Sequence, residues 1–349
     1  QDRIDAIKRL GELAKEHEAS FIVVAGDVFE SNQLSRQTVL RTMDALKTLS
    51  VPVFLLPGNH DPLDVSSIFS TPEFTDAGEN IIVIRDTQPI AVPGLADVEV
   101  VGAPWRTKHP NSDLCADMLE QLETATGVTR VAVCHGQTDT LAPDNGRPEI
   151  INQENAEKAI EEGRIHYLAL GDRHSVTDVG STGRIWFSGA PVATDFTELM
   201  PNKALLVELS EADSCNVTEL QVGSWEFIAK DFDMNGPGDL QEFSAWLSEL
   251  SNKESTIVKV GFTGTINLAI AAQLDELLDG QAELFASLRK RKRTSDLSIA
   301  PDEMDQENVA LSGYAKEAWN DLIAASSDDP VAQDALRLCY RLSRRGVNQ

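Results

Sequence analysis

The chain has 349 residues, 42% hydrophobic and 25% charged, proportions that are ordinary for a globular protein with room for two or three domains. Its 30 Lys and Arg stand against 56 Asp and Glu, and the net charge of −26 argues against a polyanionic partner unless a metal or a basic subunit reverses the local field. No stretch approaches the roughly 18 apolar residues of a membrane span, and four widely spaced cysteines exclude a zinc knuckle or a disulfide framework, so we expect a cytoplasmic protein without a membrane partner.

The N-terminal part of the chain predicts an alternation of helices and strands. Apolar side chains spaced by three and four residues predict an amphipathic helix over 2–17 and another over 35–50. Apolar runs at 21–25 and 51–56 predict buried strands. A helix directly before a central strand is expected to cross over from an earlier parallel strand, so we expect the chain as given to begin inside its first domain.

The next hundred residues continue the α/β pattern with shorter elements. Short β-rich pieces between 80 and 101 indicate the antiparallel side of a mixed sheet. Further strands are predicted at 129–134 and 166–170, and further helices at 113–124 and 154–162. Three more strands, at 185–188, 203–209 and 216–222, are expected to close this first domain.

Polar side chains with metal-binding chemistry follow four of the predicted strands. They are Asp27, the run Asn59-His60-Asp61, His135, and Asp172 with His174. Each alone has an ordinary explanation, such as a helix cap, a polar turn or a core histidine. However, the chain has six histidines and three of them fall at the same position relative to a strand. Because the carboxyl ends of parallel strands share one edge of a sheet, we expect these residues to form one site.

This combination of side chains suits a hydrolytic metal site. Carboxylate, amide oxygen and imidazole ligands favour Mn²⁺, Mg²⁺, Fe²⁺ or Zn²⁺, and an aspartate can bridge two such ions. Two metals about 3.5–4 Å apart can bind a phosphate and activate a water molecule. A histidine beside the metals can then protonate the leaving group. His60 suits that role, with Asp61 as the carboxylate that orients its ring.

The ordered set Gly-Asp-Val-Phe-Glu at 26–30, Gly-Asn-His-Asp at 58–61, His135 and Gly-Asp-Arg-His at 171–174 resembles the signature of the calcineurin-like metallophosphoesterases. Within that family the chain resembles the nuclease subunit of bacterial SbcCD-type DNA-repair complexes. The resemblance implies two divalent metals, most simply Mn²⁺. Asp27 would bridge them, Asn59 and His135 would bind one, His174 would bind the other, and His60 would be the catalytic histidine supported by Asp61.

Two departures from the family pattern leave alternatives open. The family begins with Asp-x-His on a first strand that this sequence does not show, and Asp172 stands where the family has a histidine. Asp172 can substitute as a ligand and favour harder ions. Alternatively, the chain is a metal-depleted scaffold subunit of an ATPase–DNA complex. A phosphatase or a small-molecule phosphodiesterase is the other alternative to a DNA exonuclease or endonuclease.

The downstream sequence predicts two further segments. Alternating strands and helices over 223–293 predict a smaller α+β capping domain after a metallophosphoesterase domain at 1–222. Residues 294–349 predict a linker followed by two amphipathic helices that bind a partner. The resemblance implies that the partners are DNA and an SbcC-type ATPase, with a homodimer of this chain in the complex. The basic run at 289–293 could neutralise DNA phosphates or form a solvated junction.

Overall fold

The computed structural model describes residues 1–142, 146–210, 214–291, 296–300, 302, 311–326 and 329–345. The chain divides into two compact units, Gln1–Ser224 and Trp225–Gln349. None of the helices in those ranges combines the length and the apolar character that a bilayer crossing requires.

The first unit alternates helices and strands, as the apolar periodicity predicts. In chain order its elements are α1 (Asp2–Glu16), β1 (Ile22–Val24), α2 (Arg36–Lys47), β2 (Val53–Leu55), a short 3₁₀ helix (Ile68–Ser70), α3 (Pro72–Thr75), β3 (Ile81–Val83), β4 (Ile90–Ala91), β5 (Val98–Gly102), α4 (Leu114–Glu120), β6 (Thr129–His135), α5 (Gln153–Glu161), β7 (Tyr167–Gly171), β8 (Thr177–Asp178), β9 (Ile185–Phe187), β10 (Lys203–Leu209) and β11 (Cys215–Gln221).

These strands form two sheets and a hairpin. Strands β1, β2 and β3 are parallel neighbours in one sheet, and the second sheet has the order β4-β5-β6-β7-β9-β8 with antiparallel pairs at both edges. Strands β10 and β11 form an antiparallel hairpin. The expectation that residues 80–101 form only an antiparallel side is wrong for β3, which extends the first sheet in parallel. Ile81 and Ile82 pack into cores on opposite faces, as in the continuously apolar strands of parallel sheets.

The two sheets face each other and carry helices on their outer faces. Val53 and Leu55 of β2 pack against residues of α2, whereas the alternate residues Phe54 and Leu56 pack against the second sheet. The same alternation on β6 turns 131 and 133 toward the first sheet and 132 and 134 toward α4 and α5. Burying one such side chain contributes about 1.5–3 kcal/mol, so the shared core is large enough to hold the sheets together. The predicted mixed-sheet sandwich is confirmed.

The second unit has one four-stranded parallel sheet. Its elements are β12 (Glu226–Asp233), α6 (Pro237–Glu249), a short 3₁₀ helix (Lys253–Ser255), β13 (Thr256–Ile266), α7 (Leu268–Ala282), β14 (Ser287–Lys290), β15 (Asp296–Ile299), α8 (Tyr314–Ala325) and α9 (Pro330–Arg345). Strand β12 pairs with β13 along most of its length. Strand β14 pairs with residues 257–260 of β13, and β15 pairs with residues 263–266 of β13.

One core joins the sheet of the second unit to its last two helices. Phe232, Phe243 and Phe262 share this core with Trp319 of α8 and Tyr340 of α9. The sequence predicts a linker from residue 294, whereas β15 pairs with β13 there because Ile299 is buried in the same core. The rest of that predicted linker, at 294–295, 301 and 303–310, lies outside the described residues.

Candidate metal centre

Strands from both sheets of the first unit end at the candidate site. The loop after β1 turns sharply, with positive φ at Gly26 (89°) and Asp27 (49°). A methyl group on Gly26 would collide with the His135 ring, so only glycine allows β1 and β6 to approach this closely. His135 Nδ1 donates a hydrogen bond to the Ala25 carbonyl oxygen at 2.8 Å, across 110 residues of sequence. This bond ties the two sheets together directly behind the site.

Three side-chain oxygens surround the other ring nitrogen of His135. Nε2 lies 2.8 Å from Asn59 Oδ1, 3.2 Å from Asp27 Oδ2 and 3.9 Å from Asp172 Oδ1. The structure therefore brings together four of the predicted site residues. Burial alone would lower the pKa of His135, but the hydrogen bond and charge of Asp27 outweigh it and raise that pKa. For Asp27, burial alone would raise the pKa, but the hydrogen bond and charge of His135 outweigh it and lower that pKa.

Backbone and indole contacts fix His135 from behind. Trp105 Nε1 donates to the His135 carbonyl oxygen at 2.8 Å, and the Gly136 N–H donates to the Gly171 carbonyl oxygen at 3.2 Å. Trp105 is buried, and its ring meets the His135 ring edge to face. Trp105 has no signal of this role in the sequence, because it follows the end of β5 without any metal-binding side chain beside it.

The structure gives Asp61 a different contact from the predicted one. Asp61 is fully buried, and its two oxygens accept the Gly58 N–H at 2.7 Å and the Phe29 N–H at 2.9 Å. Both oxygens are thus used to join the loops after β1 and β2, and they do not orient the His60 ring. Burial is the main reason that the pKa of Asp61 rises to about 6, although the two backbone hydrogen bonds oppose the rise.

His60 lies at the exposed rim of the same loop. Its backbone N–H donates to Asp27 Oδ1 at 2.9 Å, so its position is coupled to the site. The ring Nδ1 donates to the Glu30 carbonyl oxygen at 3.1 Å and lies 3.6 Å from the Glu30 carboxylate. Glu30 therefore occupies the place beside the ring that the sequence assigns to Asp61. Because Nδ1 carries the proton in that bond, Nε2 is the nitrogen left for a substrate.

Asp172 and His174 follow β7 but have separate surroundings. Asp172 has a φ of 94°, which is uncommon for a residue with a side chain, and Gln137 Nε2 donates to its Oδ2. Gln137 follows His135, the last residue of β6, by two positions, so its place near a strand end is a signal that the sequence contains. His174 turns its Nδ1 to Glu198 Oε1 at 2.7 Å. Glu198 lies in a later loop, with no strand-end pattern to signal it.

The donor set at His135 is chemically suited to a divalent cation. Two carboxylates, one amide oxygen and one imidazole nitrogen are the ligands that Mn²⁺, Fe²⁺ and Zn²⁺ accept in open sites. Among the described residues, no three His, Cys, Asp or Glu side chains are already arranged as a ligand shell around one point. Here the His135 nitrogen hydrogen-bonds directly to the oxygens that would share a cation with it. The residues fit a metal, which would take the place of these direct contacts between its ligands.

Comparison with known proteins places this arrangement in a family. Residues 1–176, half of the chain, match the family model described as calcineurin-like phosphoesterase. The chain belongs to the calcineurin-like phosphoesterase family. Members of this family generally bind divalent metals and hydrolyse phosphoesters, which agrees with the donor set at His135.

Two curated relatives of this calcineurin-like phosphoesterase are nuclease or repair proteins. Over 283 residues the chain is 23% identical to SbcD, a subunit of the nuclease SbcCD of Bacillus subtilis, covering 71% of this chain and 70% of that one. Over 125 residues it is 29% identical to the DNA double-strand break repair protein Mre11 of Archaeoglobus fulgidus, covering 31% of this chain and only 28% of that one. A solved structure, TT1561 of Thermus thermophilus, matches 62% of this chain and 94% of its own at 11% identity and a TM-score of 0.39.

Proposed function

We propose that this chain is a metal-dependent phosphodiesterase that cleaves DNA, as the nuclease subunit of a complex that processes double-strand breaks. The observation that carries the proposal is the convergence of Asp27, Asn59 and Asp172 on Nε2 of His135 at the edge of two sheets. The names of the two curated relatives, a nuclease subunit and a double-strand break repair protein, support DNA as the substrate.

The proposed cofactor is a pair of divalent ions, most simply Mn²⁺. Asn59 and His135 would hold one ion, Asp27 would lie between the two, and His174 would hold the other. When bound, such ions supply a water molecule of lowered pKa and offset the charge of the phosphate. Asp172, held by Gln137, adds a carboxylate where the family resemblance has an imidazole. A hard oxygen ligand at that position favours Mn²⁺ or Mg²⁺ over Zn²⁺.

His60 is the proposed proton donor to the leaving oxygen. Its ring is about half exposed, so a DNA backbone can reach it. The bond from Nδ1 to the Glu30 carbonyl oxygen fixes the ring and leaves Nε2 to hold or release a proton. The backbone hydrogen bond from His60 to Asp27 holds the loop that carries the ring beside the carboxylate that would contact both ions.

The proposed protein partner is an SbcC-type ATPase that binds the second unit, with two copies of this chain in the complex. Helix α9 supports the proposal, because Leu338 and Leu342 are each more than half exposed, as is Val331. These side chains are spaced by seven and four residues, so they form one apolar stripe on the helix. Such a stripe suits a partner helix.

The test is Mn²⁺-dependent cleavage of end-labelled linear double-stranded DNA by the full-length protein. We expect cleavage to stop after metal removal by a chelator and to return with Mn²⁺. The His60→Ala change should reduce the rate by about 10²–10⁴-fold while leaving Mn²⁺ binding intact, because it removes a proton donor and no proposed ligand. His17→Ala is the matched control. His17 is an exposed histidine directly after α1, and it precedes β1, whereas the candidate site follows that strand.

Two results would contradict the proposal in different ways. Faster turnover of a small phosphodiester or a phosphomonoester than of DNA would favour a small-molecule phosphodiesterase or a phosphatase. A full-length protein that binds DNA but contains no divalent metal by elemental analysis would favour a scaffold subunit. Two features of the sequence favour the scaffold alternative: Asp172 stands where the family has a histidine, and the Asp-x-His motif of the family's first strand is not in this sequence.

A further inference from the structure

Glu198 is a carboxylate that the strand-end motifs do not include. Its side chain is only 4% exposed, although it lies in a surface loop. Oε1 accepts hydrogen bonds from His174 Nδ1 at 2.7 Å and from the Thr194 hydroxyl at 2.6 Å, and Oε2 accepts the Thr194 N–H at 3.0 Å. Withdrawing a carboxylate from water is costly unless it is hydrogen-bonded, so this set of contacts is specific.

Backbone contacts fasten the loop of Glu198 to the segment that carries His174. The Ala190 N–H donates to the His174 carbonyl oxygen at 3.0 Å, and the Leu199 N–H donates to Ser175 Oγ at 3.0 Å. Glu198 therefore reaches His174 from a loop whose two ends are both held in place. These backbone contacts therefore set the distance between the Glu198 and His174 side chains.

This contact decides which nitrogen of His174 carries the proton. An ionised carboxylate can only accept a hydrogen bond, so the 2.7 Å contact requires a proton on Nδ1. The lone pair of neutral His174 is then on Nε2, and the side chain is 54% exposed, so that nitrogen is accessible. The Nδ1 atoms of the two other histidines at this edge also face an oxygen acceptor, which is the Ala25 carbonyl oxygen for His135 and the Glu30 carbonyl oxygen for His60.

We infer that Glu198 is a positioning residue that holds His174 in the Nδ1–H tautomer and so leaves Nε2 to bind a divalent cation. The inference rests on the proposed function, because the cation is the one that function requires. A carboxylate behind a ligating histidine fixes the ring and raises the basicity of the ligating nitrogen, and losing it costs about 10–100-fold in metal affinity.

The tautomer can be measured without any metal. Selective ¹⁵N labelling of the histidines in the full-length protein, with His174→Ala to assign the resonance, gives the protonation of each ring nitrogen by long-range ¹H–¹⁵N NMR. We expect His174 of the chelator-treated wild type to be in the Nδ1–H form. In Glu198→Gln the amide can either accept from Nδ1 or donate to it, so the Nε2–H form should become populated. A loop that merely packed differently would not produce this signature.

Mn²⁺ affinity is measured on the same proteins by calorimetry. We expect Glu198→Gln to bind the Mn²⁺ ion that depends on His174 about 10–100-fold more weakly. Glu208→Gln is the matched control, because it removes an exposed carboxylate from β10 and should change neither the tautomer nor the affinity. Thermal melting of each variant establishes that it is folded.

The outcomes separate this inference from the proposed function. An Nε2–H tautomer in the wild type, or an unchanged tautomer and Mn²⁺ affinity in Glu198→Gln, would overturn the role of Glu198 while wild-type metal binding stands. A wild type that binds no Mn²⁺, or a His174→Ala variant with wild-type affinity, would instead overturn the proposed metal site. That failure is recognisable because it occurs with Glu198 intact. If Glu198→Gln does not fold, the wild-type tautomer alone decides.

Discussion

Two aspartates, Asp61 in the first unit and Asp275 in the second, are withdrawn from water, yet their pKa values shift in opposite directions. Burial raises the pKa of Asp61 to about 6, and only backbone N–H groups oppose the rise to any great extent. Burial would also raise the pKa of Asp275, whose side chain is 14% exposed, but Lys290 and Arg337 outweigh it and lower that pKa. The neighbouring groups, and not burial, decide the sign of the shift.

The carboxylates of this acidic chain differ in whether a Lys or Arg side chain pairs with them. In the second unit Lys290, Arg337 and Arg341 converge on Asp275, and Arg291 pairs with Asp231. Across the described residues, by contrast, no Lys or Arg forms an ion pair with the candidate-site aspartates, which are Asp27, Asp61 and Asp172. Asp27 and Asp172 therefore remain available to a metal, whereas both oxygens of Asp61 accept backbone N–H groups. The predicted basic run contributes two of the paired cations, while its residues 292–293 lie outside the described residues.

The largest expected effect comes from Asp61→Ala, which leaves the buried Gly58 and Phe29 N–H groups without an acceptor. At about 1–3 kcal/mol for each orphaned group, the free energy of unfolding should fall by about 2–6 kcal/mol. Urea titration measures it, with Asp44→Ala on the exposed face of α2 as the control. A loss below about 0.5 kcal/mol would mean that Asp61 does not join these loops.

A smaller and pH-dependent effect is expected for Asp275→Asn. At pH 7 this change should cost about 1–3 kcal/mol, because it leaves cations facing one another at a partly buried position. The folded-state pKa of Asp275 lies below the ordinary 3.8, so its ion pairs stabilise the chain above that value and lose their effect as the pH falls through the lowered pKa. Denaturant titrations at several pH values should therefore show the difference between the two proteins shrinking in acid. A difference that stays constant as the pH falls through this range would argue against this account.

The smallest effect on stability is expected for His174→Ala. More than half of this side chain is exposed, but its removal takes one hydrogen bond from the buried Glu198 carboxylate while Thr194 still donates two. The free energy of unfolding should therefore fall by about 0.5–1.5 kcal/mol. Mn²⁺ binding should nevertheless weaken, which separates the exposed part of the site from the buried part around His135. A loss of stability comparable to that of Asp61→Ala would contradict the division.

The sequence predicted which polar side chains lie together at one sheet edge better than it predicted the contacts of His60 and His174. Asp27, Asn59, His135 and Asp172 were found because each follows an apolar strand, and their side chains do converge. Adjacency in sequence misassigned the partner of His60, since Asp61 turns inward to the Phe29 N–H, 32 residues away. The true neighbours of His60 and His174 lie 30 and 24 residues away in other loops.

Local sequence patterns are enough to predict which segments are strands, which polar residues follow them, and which family the chain resembles. Those features depend on the order of apolar side chains, glycine and turn residues, which can be recognised along the chain. The division of the strands between two facing sheets, which brings Ala25 to His135 across 110 residues, is visible in the folded chain alone. The same holds for the hydrogen bonds by which Asp61 joins the loops after β1 and β2, and for the contact of Glu198 with His174. Contacts of that kind depend on sheet order and on how the layers pack, which no stretch of sequence contains alone.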